Sequence, residues 1–202
     1  MMFVAFVVLF EAVSLASAST TTPYTLIGRN SVTVTESQAT CKNGVSTTVT
    51  TAVKGELYVL NPPGTRTDFT GNQWKNRMTL LDREPDDEQG HVVASVFGGP
   101  IAQWNLVPQH RSVNRKIKVQ SDLLNRWDEF EKWGRVELAK IGGAPVKFNM
   151  IIKYAPANGC RPIGFVIHGT SPKSSGFDAE FVNGPNGTFA ASSVPSKRQK
   201  KT

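Results

Sequence analysis

Histidine and cysteine are scarce in this chain, with three His and two Cys among 202 residues. They also lie far apart, at His91, His110 and His168 and at Cys41 and Cys160. That scatter argues against a structural zinc centre, which needs four clustered N or S ligands. Long apolar runs are missing too. The run from Met1 to Phe10 is too short to span a bilayer, so no membrane partner is expected. No internal repeat is visible. Acidic residues are outnumbered, 16 Asp and Glu against 23 Lys and Arg, for a formal net charge of +7. Such a surplus favours an acidic partner: nucleic acid, an anionic membrane surface or an acidic polysaccharide. Composition alone does not choose among them.

The opening "MMFVAFVVLFEAVSLASA" has the form of a secretory signal, with Ala16-Ser17-Ala18 as an A-x-A cleavage pattern. No Lys or Arg precedes its apolar run, and Glu11 follows it. A signal at residues 1–18 implies a secreted protein. In that setting an even pair of cysteines, Cys41 and Cys160, is expected to form one disulfide. By chain entropy, closing a loop that long stabilises the fold by about 4–5 kcal/mol.

The remainder fits one α+β domain with ragged ends. Residues 19–63 are Thr-rich, with apolar positions at Val32, Val34, Val45, Val49 and Val53 and a turn signal at Asn43-Gly44. They read as short strands packing on the core, the last being "GELYVL", stopped by Pro62-Pro63. Residues 64–85 read as a loop anchored by Trp74, Met78, Leu80 and Leu81. "HVVASVF" reads as a strand ended by Gly98-Gly99-Pro100. From Ser121, Leu123, Leu124, Trp127, Phe130 and Trp133 recur with helical spacing. Gly134 is a kink candidate, and Gly142-Gly143 ends the helix. "VKFNMIIKYA" alternates Val146, Phe148, Met150, Ile152 and Tyr154 against Lys147, Asn149 and Lys153, the pattern of a half-buried strand. Another strand is expected over Arg161 to His168. Residues 64–190 form the main domain on this reading, and 191–202 a basic tail ending "SKRQKKT". That tail reads as a solvated surface, a phosphate-binding arm or a nuclear import address. Asn186-Gly187-Thr188 is a glycosylation sequon if the source is a eukaryote.

Chemistry concentrates between Asp86 and Lys116, "DDEQGHVVASVFGGPIAQWNLVPQHRSVNRK". Phosphodiester hydrolysis needs a base that works near neutral pH, and histidine suits that role. It also needs a hard cation, held by as little as one protein oxygen, and basic side chains for the flanking phosphates. His91, Asn105 and Asn114, with Arg111, Arg115 and Lys116, supply each part. Each of these residues also has a purely structural reading as a turn cap, a packed imidazole or a solvated charge.

The blocks Gly90-His91-Val92-Val93-Ala94, Phe97-Gly98-Gly99, Asn105-Leu106-Val107-Pro108-Gln109 and Asn114, in that order, resemble the DNA/RNA non-specific endonuclease family. These are the ββα-metal or His-Me finger nucleases. The pattern is most similar to the EssD-like nuclease domains of polymorphic toxins and type VII secretion. "LLNRW" and Arg161-Pro162 resemble later blocks of that branch. The resemblance covers about residues 75–185. It implies a ββα-metal core with a small antiparallel sheet and one long helix. It implies His91 as general base, Asn114 as the ligand of Mg2+ (Mn2+ or Ca2+ as substitutes), and Asn105 orienting the base or holding water around the metal. Gln109 would position the loop or the substrate. Arg111, Arg115 and Lys116 are assigned to phosphate from their charge. The implied substrate is DNA, with RNA as a further substrate, and an inhibitor or immunity protein is a further partner. Two positions depart from the family pattern. Gln89 stands where D-R-G-H nucleases have arginine, and Leu124 stands where a helix glutamate is common, with Asp122 or Asp128 as substitutes nearby. The rival reading is therefore a secreted effector of the same fold that binds nucleic acid or a protein without cutting.

Overall fold

Alternation builds the largest element. Along β8 (Val146–Lys153), Val146, Phe148, Met150 and Ile152 are buried, while Lys147 and Ile151 face outward. The structure, a computed structural model, describes residues 18–66, 68–115, 118–120, 123, 124, 126–140, 145–155, 159–172 and 174–185, with backbone only at 118–120, 123, 124 and 126. The leader through residue 17, Lys116, Asp122, the Asn186 sequon and the basic tail lie outside the described residues.

β8 sits inside a six-stranded antiparallel sheet. Its other members are β1 (Ser19–Thr25), β2 (Ser31–Thr40), β3 (Ser46–Leu57), β9 (Gly164–Thr170) and β10 (Phe177–Val182), in the order β1-β2-β3-β8-β9-β10. Gly55 on β3 faces Phe148 across the ladder, and a Cβ there would lie 2.2 Å from the Phe148 ring. Glycine is what lets that ring lie flat against the sheet. β3 stops at Leu57, before the prolines, because the fully buried Asn30 takes the chain beyond it. Its side-chain oxygen accepts from the Tyr58 and Val59 N–H groups at 2.7 and 3.0 Å.

The helix α3 (Arg126–Lys140) packs across the inner face of this sheet. Trp127 meets Phe165 edge-on at 5.2 Å between ring centroids, and Phe130 meets Phe148 at 5.8 Å. The helix runs on through Gly134, where a Cβ would lie 2.8 Å from the Phe97 ring. That glycine is packing room rather than a break. The helix also begins later than its apolar spacing suggests. Leu123–Leu124 form the strand β7, paired with β6 (Lys118–Gln120).

Two further expectations change. The segment read as a loop contains α1 (Asn72–Leu80), seated by Trp74 and Met78 against Phe69 and Leu106. Arg77 ties it to β3 by donating to the Thr47 hydroxyl and the Thr48 carbonyl. The strand expected over "HVVASVF" lies earlier, as β4 (Asp87–His91), paired with β5 (Leu106–His110). After His91 the backbone leaves the ladder because the Asn105 amide captures Val93. It then closes a 3-10 turn at Ser95–Phe97. The expected sheet is also larger than anticipated, since six strands form it while β4–β5 and β6–β7 stand as separate pairs.

β4 and β5 are fastened to the sheet by ion pairing and hydrogen bonds. Asp87 on β4 accepts two hydrogen bonds of 2.6 Å from the Arg161 guanidinium just before β9, and both side chains are buried. Asn183 receives the His110 N–H at 2.8 Å and donates to the Pro108 and Pro162 carbonyls at 2.9 Å. Cys160, beside Arg161, forms the expected disulfide with Cys41 at the end of β2. Arg161 precedes its strand rather than opening it. Removing one member of a buried charge pair leaves the other uncompensated, at a cost of about 3–5 kcal/mol. Arg161→Met should lower unfolding free energy by that amount in denaturant titration, and Asp87→Leu with Arg161→Met should recover much of it. A single variant as stable as the parent would show that the pair does not anchor β4.

Candidate active site

β4 ends at His91, whose ring lies 4.5 Å from the buried Phe69 ring, with Trp74 stacked edge-on behind Phe69 at 5.0 Å. Phe69 thus backs one face of the half-buried imidazole. The chain after His91 is held by Asn105, whose Oδ1 accepts from the Val93 N–H at 2.6 Å. Its Nδ2 donates to the Val93 and Pro100 carbonyls at 3.1 and 2.9 Å. Gly99 makes room for this clasp, since a Cβ there would lie 3.0 Å from Asn105 Nδ2 and 1.7 Å from the Val93 carbonyl oxygen.

His91 opens onto a cavity of about 600 Å³. One wall is the loop from Asn61 through Arg66 and Asp68 to Phe69, pinned by Asn61 to the Ser95 carbonyl at 3.0 Å. Opposite stand Gln89 and Asn114, the latter closing the short helix α2 (Arg111–Asn114). The first turns of α3 complete it with Trp127, Asp128, Glu131 and Arg135. The structure thus brings His91 and Asn114 to one cavity and adds two carboxylates from the helix.

Four expected site residues do not line the cavity. Asn105 is fully buried with its amide committed to backbone, so it positions the segment behind His91 and does not meet water or substrate. Gln109 is also fully buried, packed against Gly90, where a Cβ would lie 2.2 Å from its Oε1. Of the two expected roles, positioning the loop or the substrate, its burial across β4–β5 fits the first. Arg115 is bound by Glu88 through both Nε and an Nη2 contact, so its charge is neutralised locally. Arg111 is exposed and 3.5 Å from Asp86. Lys116 lies outside the described residues.

Glu88 also reaches Asn114, whose Nδ2 donates to its Oε2 at 2.9 Å. The amide nitrogen is thereby occupied, and the amide oxygen is left as the acceptor end. Partial burial opposes ionisation of Glu88. Hydrogen bonds from Arg115 and Asn114, with the charges of Arg115 and Arg111, outweigh it and hold the carboxyl below the ordinary glutamate range. Glu131 is shifted the other way. The cavity walls push its pKa up to about 7, against the attraction of Arg135 and a hydrogen bond from the Trp127 indole, and Asp128 raises it further.

The donor set fits a hard divalent cation: an amide oxygen on Asn114 and carboxylates on Asp128 and Glu131. Among the described residues, Cys41, Asp82 and Cys160 are the one group of His, Cys, Asp or Glu side chains with closely convergent ligand atoms, and there both sulfurs are in the disulfide. A cation that keeps several waters needs no such cage. Asp128 is one of the two substitutes weighed for the missing helix glutamate. Glu131 was not legible from the "LLNRW" block, because Leu123–Leu124 form β7 and the helix begins only at Arg126. The available signal was its place four residues beyond Trp127, on one helix face.

Residues 46–154, just over half of the chain, match the DNA/RNA non-specific endonuclease family, and the chain belongs to that family. Relatives include the type VII secretion system protein EssD of Staphylococcus aureus strains USA300 and NCTC 8325, each 36% identical over 89 residues. The match covers 43% of this chain and 13% of EssD. Among solved structures, NucA from Streptococcus agalactiae with magnesium bound aligns with a TM-score of 0.46 at 15% identity, over 66% of this chain and 64% of NucA. The metal-free NucA structure aligns at 0.47 and 14% identity, over 79% of this chain and 73% of NucA.

The Glu131 shift carries a sign. A carboxyl whose pKa rises on folding holds its proton more tightly in the folded state, so stability falls as pH climbs from 4.5 to about 7. In chelator, Glu131→Gln should melt above the parent protein at pH 8 and level with it at pH 4. A difference independent of pH would place the charge of Glu131 outside the cavity.

Proposed function

We propose that this chain is a secreted, Mg2+-dependent nuclease that hydrolyses phosphodiester bonds of DNA and RNA without sequence preference. The observation that carries the reading is the meeting of His91, Asn114, Asp128 and Glu131 around one cavity in a member of a non-specific endonuclease family. His91 takes a proton from the attacking water at the cavity mouth, with Phe69 fixing the plane of its imidazole. The water oxygen bonds to phosphorus as the bond to the ester oxygen breaks. Arg66, paired with Asp68 at 2.8 Å, and Arg135, 4.0 Å from Glu131, line the cavity and lend the charge those carboxylates leave to the non-bridging oxygens. Asn114, Asp128 and Glu131 would hold the cation, which when bound offsets charge on the phosphate and the leaving oxygen. Glu88 is a positioning residue, keeping the Asn114 amide turned so that its oxygen is the free acceptor. No element of the described structure is shaped to read base edges, and phosphate contact alone carries no sequence choice.

Secretion is supported by the signal pattern at residues 1–18, and no described helix is long and apolar enough to cross a membrane. A toxin or effector role, and an immunity or inhibitor protein as partner, are supported by the likeness to a type VII secretion system protein over 43% of this chain. Neither the family nor the relatives support the nuclear entry expected of the basic tail, and the proposal leaves it out. Gln89 in the cavity wall favours one rival, binding without cleavage, since a neutral amide stands where an arginine would add phosphate affinity.

Plasmid DNA and RNA should both be degraded with Mg2+ and persist in chelator. His91→Ala should lose about 10²–10⁴-fold in rate while still binding DNA. Asn114→Ala should need more Mg2+ for half-maximal rate. Parent protein that binds DNA but cuts neither polymer would establish the rival reading.

A further inference from the structure

Gln89 borders two spaces. On one side is the cavity of His91. On the other is a cleft of about 530 Å³ between α1 and β4, lined by Lys75, Asn76 and Thr79, by Arg83, and by β4 residues through Gln89. The cleft therefore lies next to the candidate active site, with Gln89 between them.

Its charges are not balanced. The acids on its β4 wall are already engaged. Asp87 is held by Arg161, and Glu88 by Arg115 and Asn114. The cations on the facing wall, Lys75 and Arg83, are exposed, and neither has an acidic partner among the described residues. Arg83 follows Asp82, a non-glycine residue at φ 57°. That backbone is held by the Asp82 carboxylate, which accepts from the Lys42 and Cys160 N–H groups at about 3 Å. The Arg83 N–H in turn donates to the Met78 carbonyl at 3.2 Å. The fold thus sets a cation at the end of α1, beside a strand whose acids have been taken away. The Asn76 amide adds a neutral donor to the same wall, while the Thr79 hydroxyl already donates to the Lys75 carbonyl at 3.2 Å.

We propose that this cleft is a second phosphate subsite. It would hold the backbone of DNA next to the phosphate being cut, with Lys75 and Arg83 as its cations. The inference rests on the nuclease reading for the identity of the ligand, and it extends the substrate path beyond the cavity of His91.

The test separates the two readings. Binding of a fluorescent duplex to the His91→Ala protein in chelator requires no cleavage. Lys75→Glu with Arg83→Glu in that background should weaken binding at least tenfold at 100 mM salt. It should flatten the slope of log K against log salt by about 1.8, two phosphate contacts at roughly 0.9 each. Lys54→Glu, on the outer face of the large sheet, controls for overall charge and should have a much smaller effect. In the cleavage-competent protein, the double reversal should raise KM for plasmid and leave hydrolysis of bis(p-nitrophenyl) phosphate unchanged, since that diester has no flanking phosphate. Duplex binding and slope unchanged by the double reversal, or matched by Lys54→Glu, would overturn the subsite. Failure of the parent to cut either substrate would sink the nuclease reading and leave the binding measurement to decide the cleft.

Discussion

The Asp87 carboxylate lies in the fork of the Arg161 guanidinium, with two 2.6 Å hydrogen bonds and almost no exposure on either side. A planar guanidinium matches a carboxylate in this two-armed way, which fixes direction as well as distance. The consequence is geometric. Asp87 opens the strand that ends at His91, so the pair sets where β4 leaves the large sheet and where the imidazole arrives. Cys160, the neighbour of Arg161, ties the same point to β2 through the disulfide and gives its N–H to Asp82 at the end of α1. Two adjacent residues thus join the sheet, β4 and α1.

From that anchor outward the site is assembled by amides. Asn105 fixes the chain behind His91, Asn183 fixes β5 and the entry to α2, and Asn61 pins the loop that walls the cavity. Each satisfies backbone groups that would otherwise be buried without partners, on β5 and in the turns and loops between elements. Asn105 and Asn114 suggested a catalytic set, yet of those two only Asn114 lines the cavity. An amide serves a turn and a metal equally well, and the chain order of the residues does not show which. Burial decides it: Asn105 is wholly enclosed, and Asn114 is half-buried at the cavity edge.

Much of the architecture was legible because its signal is local. The strict alternation of β8 and the turn at Asn43-Gly44 follow from short-range pattern, whereas the disulfide was expected from an even pair of cysteines, and the roles of His91 and Asn114 from the family resemblance. What escaped depends on distant partners. β4 lies earlier than expected because "HVVASVF" is apolar on both sides and its backbone is claimed by Asn105 from across a loop. The two-strand excursion β6–β7 displaced α3, so the match of "LLNRW" to the family's helix block put the glutamate position at Leu124 in β7 and missed Glu131 on the helix. Arg115 was read as a phosphate ligand from its charge, and Glu88, 27 positions away, neutralises it. Arg66 and Arg135 escaped attention for the opposite reason, since nothing in their local sequence shows that they border the cavity.

The account stands on one claim, that β4, α2 and α3 bring an imidazole, an amide oxygen and two carboxylates to a single cation site. Paramagnetic broadening by substoichiometric Mn2+ tests it without reference to turnover. The side-chain amide of Asn114 and the indole N–H of Trp127 should broaden first, and both effects should vanish when Asp128→Asn is combined with Glu131→Gln. Broadening centred elsewhere, or persisting undiminished in that double variant, would contradict the site.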